Sequence, residues 1–170
     1  MPVTRLNHAV LYVRDVATSV AFYEQALDFS VVLKLGENAA FLQAPASTND
    51  HDLGLFAVGA QASGSAAGRG AVGLYHLAWE VDTLAELARL RERMSELGAL
   101  DGASDHGTTK SLYGKDPDGL EFEIAWIVPA DLLTADLTIG TAALDLPATI
   151  TRYGGSTVGG VGVSFAAPST

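Results

Sequence analysis

Apolar residues recur along the chain in two rhythms, and the order of the rhythms repeats. Residues 6–13 alternate, with Leu6, His8, Val10 and Tyr12 on one side and Asn7, Ala9, Leu11 and Val13 on the other, the period of two that a half-buried strand requires. Asp15 then offers the short acceptor side chain of a helix N-cap. Val16, Val20, Tyr23 and Leu27 follow at steps of four, three and four, which predicts an amphipathic helix of about twelve residues. Residues 29–35, 39–43 and 53–58 are predicted strands, separated by Gly36-Glu37-Asn38 and by a polar loop over residues 46–52. The predicted order is β-α-β-β-β.

Residues 61–73 are small and glycine-rich, with almost nothing to bury, and read as a linker or mobile loop. The pattern then starts again. Leu74-Tyr75-His76-Leu77-Ala78-Trp79-Glu80-Val81 lies over Leu6-Asn7-His8-Ala9-Val10-Leu11-Tyr12-Val13 at an offset of 68 residues. A second helix follows, capped by Thr83 with Glu86 completing a capping box. It turns Leu84, Leu87, Leu90, Met94 and Leu97 inward and closes at Gly98. A short segment near Leu100, a loop over residues 101–107 and a strand over residues 109–113 lead to Asp116-Pro117-Asp118-Gly119. This is a turn, because proline presets φ and Gly119 accepts φ > 0. The returning strand points Leu120, Phe122, Ile124 and Trp126 one way and Glu121, Glu123 and Ala125 the other.

The chain therefore reads as one α+β domain over residues 1–128, built from two βαβββ modules (1–60 and 74–128) joined by the linker 61–73. Residues 129–170 form a C-terminal extension, with a helical piece at 144–153 and a glycine-rich end at 154–162. The extension cannot form a core of its own, yet Leu132, Leu133, Leu137, Ile139, Leu144 and Leu146 are costly to leave in water. Packing on a partner subunit and partial disorder are both open to such a segment. We expect the first, over a subunit contact in a homodimer or higher homo-oligomer.

Composition narrows the chemistry. At 170 residues and 48% hydrophobic, the chain can bury one sizeable core, and no apolar run approaches the roughly 18 residues of a membrane span. The start of the chain lacks an apolar signal core, so a cytoplasmic location is expected. There are no cysteines, so any metal must be held by nitrogen and oxygen. A net charge of −10 opposes binding to nucleic acid, and Arg89, Arg91 and Arg93 alternate with acidic residues on a solvated helix face.

Laid on the repeat, His8 and His76 occupy equivalent positions in the first strand of each module, and Glu123 sits in the last strand of the second. A lone strand histidine is more often a hydrogen-bonded structural residue than a ligand, but a repeat that places two at the same point shifts that balance. Modules packed with pseudo-twofold symmetry could present both imidazoles and the carboxylate to a shared cleft. Two imidazoles and one carboxylate with open positions suit non-haem Fe(II).

Through these residues the sequence resembles the vicinal oxygen chelate superfamily, which includes glyoxalase I, bleomycin-resistance proteins and type I extradiol dioxygenases. Within it, His106, Leu112-Tyr113, Asp116-Pro117-Asp118-Gly119 and Glu123 resemble the extradiol dioxygenase signature, departing from it at Ser104. The resemblance implies His8, His76 and Glu123 as metal ligands for Fe(II), with Mn(II) suited by the same donors, and Glu121 as a solvated neighbour. It implies His51 as acid–base catalyst, and His106 and Tyr113 as hydrogen-bond partners of the substrate's hydroxyl oxygens. The implied activity is ring cleavage of a catechol-type substrate by O2. A glyoxalase-type isomerase would use four protein ligands, and residues 53–58 offer no carboxylate opposite Glu123; a drug-sequestering protein of the same fold would need no metal.

Overall fold

The computed structural model describes residues 2–3, 5–67, 70–134, 137 and 139–164. Residues 68 and 69 of the predicted linker and 165–170 of the predicted extension lie outside that description. The chain divides into two compact units, Met1–Ala66 with Asp116–Leu120, and Ala67–Lys115 with Glu121–Thr170.

Unit 1 contains β1 (Ala9–Val13), α1 (Val16–Leu27), β2 (Ser30–Leu35), β3 (Ala39–Gln43) and β4 (Leu53–Ala57), the order expected from the pattern. The sheet runs β1-β4-β3-β2, with β1 parallel to β4 and the other pairs antiparallel. Its register brings Leu11, Leu55 and Ala40 into one row and Leu53 and Leu42 into the next, and this face is buried. Val16, Val20, Tyr23 and Leu27 of α1 are buried as the four-three-four spacing required. Asp15 caps the helix, accepting the Thr18 N–H at 2.7 Å. Asp28 ends it in the left-handed region at φ 57, a conformation that a short polar side chain tolerates better than most. On the opposite face, Val10 and Tyr12 stand exposed.

The Asp116–Leu120 turn is built as the sequence indicated. Gly119 has φ +80, and the Asp116 carboxylate accepts the N–H groups of Asp118 (2.9 Å) and Leu120 (2.8 Å). Burial raises the Asp116 pKa, and those two N–H bonds oppose the rise. Arg14 holds Asp118 through its guanidinium at 2.6 Å and its backbone N–H at 3.0 Å.

Unit 2 repeats the plan with β5 (His76–Glu80), α2 (Leu84–Glu96), β6 (Leu100–Asp105), β7 (Thr109–Lys115) and β8 (Glu121–Ile127), then adds β9 (Ala142–Ala143), α3 (Leu146–Tyr153) and α4 (Val161–Ser164). The sheet order is β5-β8-β7-β6-β9, again with a parallel first pair. Leu84, Leu87, Leu90 and Met94 of α2 are buried, as are Leu112, Phe122, Ile124 and Trp126 of the sheet. Thr83 caps α2 by accepting the Glu86 N–H, while the Glu86 carboxylate pairs with Arg89 on the outer face.

Gly114 in β7 lies where the core leaves no room for a side chain. A β-carbon there would meet Met94 Cε at 2.6 Å, Phe122 Cζ at 2.7 Å and the Ala99 carbonyl oxygen at 2.9 Å. Overpacking of this kind costs about 1–3 kcal/mol. Gly114→Ala is therefore expected to lower the unfolding free energy by that amount, seen as a lower urea midpoint with an unchanged m-value; an unaltered midpoint would show that the backbone relaxes freely.

Two expectations are corrected. Residues 101–105, predicted as loop, belong to β6: Asp101, Gly102, Ser104 and Asp105 have little strand propensity, but pairing with β7 on one side and β9 on the other fixes them. Leu97, predicted to face inward, is 42% exposed, because it sits at the C-cap beyond the last buried turn. The described part of the extension packs within its own unit. Leu144 and Leu146 are buried there, Trp126 Nε1 donates to the Thr157 carbonyl (3.2 Å), and the Ala85 N–H donates to the Gly155 carbonyl (2.8 Å). Those two leucines therefore find their burial without a subunit contact.

Candidate functional site

In unit 2, alternation along β5, β7 and β8 puts His76, Ala78, Ser111, Tyr113 and Glu123 on the sheet face away from the buried Phe122, Ile124 and Trp126. The register sets Ala78, Glu123 and Tyr113 directly across from one another. His76 Nε2 lies 2.9 Å from Glu123 Oε2, and Ser111 Oγ donates to Glu123 Oε1. His76 Nδ1 is buried without a hydrogen-bond partner. Glu121, two residues before Glu123 on β8, stands opposite Lys115 instead, 3.9 Å from its amine.

Tyr113 O–H and His106 Nε2 are 2.8 Å apart. Burial, then the negative charge of Glu123, raises the Tyr113 pKa above the ordinary phenol value. A raised folded pKa means stability is intact below about 10 and is lost as pH rises through the folded value. Ultraviolet titration of the metal-free protein, taken as wild type minus Tyr113→Phe, is expected to show this phenol ionising late. Glu123→Gln should bring it earlier by removing the adjacent charge; no movement would mean burial alone sets the shift.

In unit 1 the repeat places different residues at the matching points. Val10, Gly54 and Phe41 form the row that corresponds to Ala78, Glu123 and Tyr113. Gly54 thus stands where unit 2 has its carboxylate. His8 lies immediately before β1 and stacks on His51, with ring centroids 4.4 Å apart, and Phe41 meets His51 edge-on at 5.1 Å. The loop carrying His51 is braced by buried Asp52, which accepts from Ala44 N–H, Ser47 Oγ and Asn49 Nδ2. Asn49 Nδ2 also donates to the Asn7 carbonyl at 2.7 Å, tying this loop to the segment that bears His8.

Both imidazoles of unit 1 have their Nδ1 engaged. His8 Nδ1 donates to Asn7 Oδ1 (2.7 Å) and His51 Nδ1 to Asp50 Oδ2 (3.0 Å). The bond from His51 holds the Asp50 carboxyl below its usual range. Each ring therefore keeps its Nε2 lone pair for other work, which is the requirement for a metal ligand or a general base.

Among the described residues, no group of three or more His, Asp or Glu side chains is drawn together as around a metal ion. Of the six residues singled out from the sequence, the structure pairs His76 with Glu123 and His106 with Tyr113 in unit 2, and His8 with His51 in unit 1. The donor chemistry of the His76–Glu123 pair fits a divalent cation: the atoms that meet at 2.9 Å are an imidazole nitrogen and a carboxylate oxygen, and both offer a lone pair when the imidazole hydrogen sits on Nδ1. Ser111 was not foreseen, although its position two before Tyr113 puts it on the same face.

The family model described as "Glyoxalase/Bleomycin resistance protein/Dioxygenase superfamily" matches residues 5–124. The chain belongs to this superfamily. No curated protein matches the sequence. Among solved structures, the superfamily fold is shared with a lactoylglutathione lyase from Agrobacterium tumefaciens (TM-score 0.55, 25% identity, 74% of this chain and 95% of that one). It is also shared with a glyoxylase/bleomycin resistance protein/dioxygenase domain from Frankia sp. EAN1pec (TM-score 0.60, 22% identity, 75% and 100%). A mutant of the fosfomycin resistance protein FosX from Listeria monocytogenes, solved with Mn(II) and 1S,2S-dihydroxypropylphosphonic acid, matches with TM-score 0.56 and 20% identity over 72% and 90% of the two chains. Divalent metal binding thus occurs within the superfamily. Among the described residues no helix is long and apolar enough to cross a membrane.

Proposed function

We propose that this superfamily member is an extradiol dioxygenase that cleaves the ring of a catechol-type substrate. The observation that carries the reading is the row on unit 2, where a ligand-type pair, His76–Glu123, adjoins a hydrogen-bonding pair, His106–Tyr113. His76, Glu123 and His8 are the proposed ligands of Fe(II), with Mn(II) suited by the same donors. When bound, the metal supplies a Lewis acid for the diol oxygens and a path for electrons between diol and O2.

The protein's own groups do the rest. Tyr113 and His106 orient the diol through its oxygens. His51, whose Nδ1 hydrogen is committed to Asp50, accepts a hydroxyl proton at Nε2 and later returns it. Gly54 supports this reading over a glyoxalase-type isomerase, because unit 1 offers no carboxylate at the point matching Glu123 and coordination positions stay open to substrate. Drug sequestration without metal would leave the His76–Glu123 pair with no task. Association into a homodimer remains part of the proposal, supported by the exposed Leu33 and Leu35 of edge strand β2.

The test is anaerobic reconstitution with Fe(II), and in parallel with Mn(II), followed by air and a panel of catechols. A yellow ring-cleavage product is expected. Turnover of a glutathione hemithioacetal with no catechol cleaved would replace this reading by the isomerase one.

A further inference from the structure

We infer that the C-terminal extension is part of the site: the backbone carbonyl of Gly140 holds His106 as the tautomer protonated on Nδ1, so that Nε2 faces Tyr113 as an acceptor. This rests on the proposed role of the His106–Tyr113 pair.

The backbone of His106 is fixed first. Its N–H donates to the Thr109 carbonyl at 2.9 Å, the Gly107 N–H donates to Asp105 Oδ1 at 2.8 Å, and Gly107 takes φ +82 to close the loop. Lys110, itself almost wholly buried, donates to the Gly107 carbonyl at 2.9 Å and pairs with Asp105. Only the ring's own rotation and tautomer are left to settle.

Pairing between β6 and β9 settles them. Ser104 stands opposite Ala143 and Asp105 opposite Ala142, which brings residues 140 and 141 alongside His106. The Gly140 carbonyl oxygen lies 2.9 Å from His106 Nδ1, with Thr141 Oγ1 at 3.3 Å from the same nitrogen. A carbonyl oxygen can only accept, so Nδ1 carries the hydrogen. A neutral imidazole has one N–H, which leaves Nε2 bare, and the Tyr113 hydroxyl at 2.8 Å is the donor to it. Carbonyl, imidazole and phenol thus form a chain with one direction. Gly140 is a positioning residue, acting on the ring through its main chain, which is why no side-chain motif marks it.

The experiment reads tautomers directly. Protein labelled with nitrogen-15 in histidine is examined by long-range proton–nitrogen correlation at neutral pH, with His106 assigned by its loss in His106→Gln. The expected result is His106 protonated on Nδ1 in the wild type and in Tyr113→Phe. In Ala142→Pro/Ala143→Pro, which breaks the β9 pairing, the proton should be shared between both nitrogens. A wild-type His106 protonated on Nε2 alone would overturn the inference, as would an unchanged tautomer in a folded β9 variant. If that variant fails to fold, the wild-type spectrum still decides. Ring cleavage is assayed separately, so an Nδ1–H tautomer without catechol turnover would discard the proposed activity and leave the positioning role standing.

Discussion

His76→Ala is expected to abolish metal binding. The wild-type protein should take up one divalent ion per chain, with His76 Nε2 and Glu123 Oε2 among its donors once the imidazole hydrogen sits on Nδ1. The alanine variant loses the nitrogen donor and leaves Glu123 with Ser111 as its partner. Removing an outer-shell partner of a metal site costs about 10–100-fold in affinity, and loss of a ligand itself should exceed that. Elemental analysis after anaerobic loading checks the outcome, with circular dichroism confirming the fold. Full occupancy in the variant would remove His76 from the ligand set.

The second large effect is expected at His51. Its ring is stacked on His8, touched edge-on by Phe41 and held at Nδ1 by Asp50, an arrangement that fixes the ring and leaves Nε2 as the nitrogen for proton transfer. His51→Ala should lower kcat by about 10²- to 10⁴-fold, the usual contribution of a positioned acid–base group. Metal content and catechol affinity should stay near wild type, because His51 is not among the proposed ligands. Stopped-flow turnover with equilibrium binding in parallel separates the two quantities. Unchanged turnover would make His51 an ordinary loop histidine.

The parts of the fold that were legible from the chain are those whose side chains divide between core and solvent. Val16, Val20, Tyr23 and Leu27 marked α1, and Phe122, Ile124 and Trp126 marked β8, because burial imposes a period on apolar residues. β6 was not legible, since it is held by backbone pairing to β7, and at Ser104 and Asp105 to β9 as well, while its side chains carry no alternation. The docking of the extension within its unit was not legible for a related reason: Leu144, Leu146 and the glycines near Trp126 meet neighbours far away in sequence. In the site, the 68-residue repeat exposed His76 and the period of two Glu123, while His106 and Tyr113 were marked by the resemblance to the extradiol signature. The stacking of His51 on His8 depends on a braced loop, and the Gly140 contact on a main-chain carbonyl, and neither leaves a spacing to read.

The most direct test of the central claim is to run the Fe(II)-loaded protein on a catechol under heavy-isotope dioxygen and identify the product by mass spectrometry. Both oxygen atoms of one O2 molecule should appear in a ring-opened hydroxy-semialdehyde, with cleavage beside the two hydroxyls rather than between them. A product cleaved between the hydroxyls, or a catechol recovered unchanged while the loaded metal is retained, would contradict extradiol cleavage by this chain.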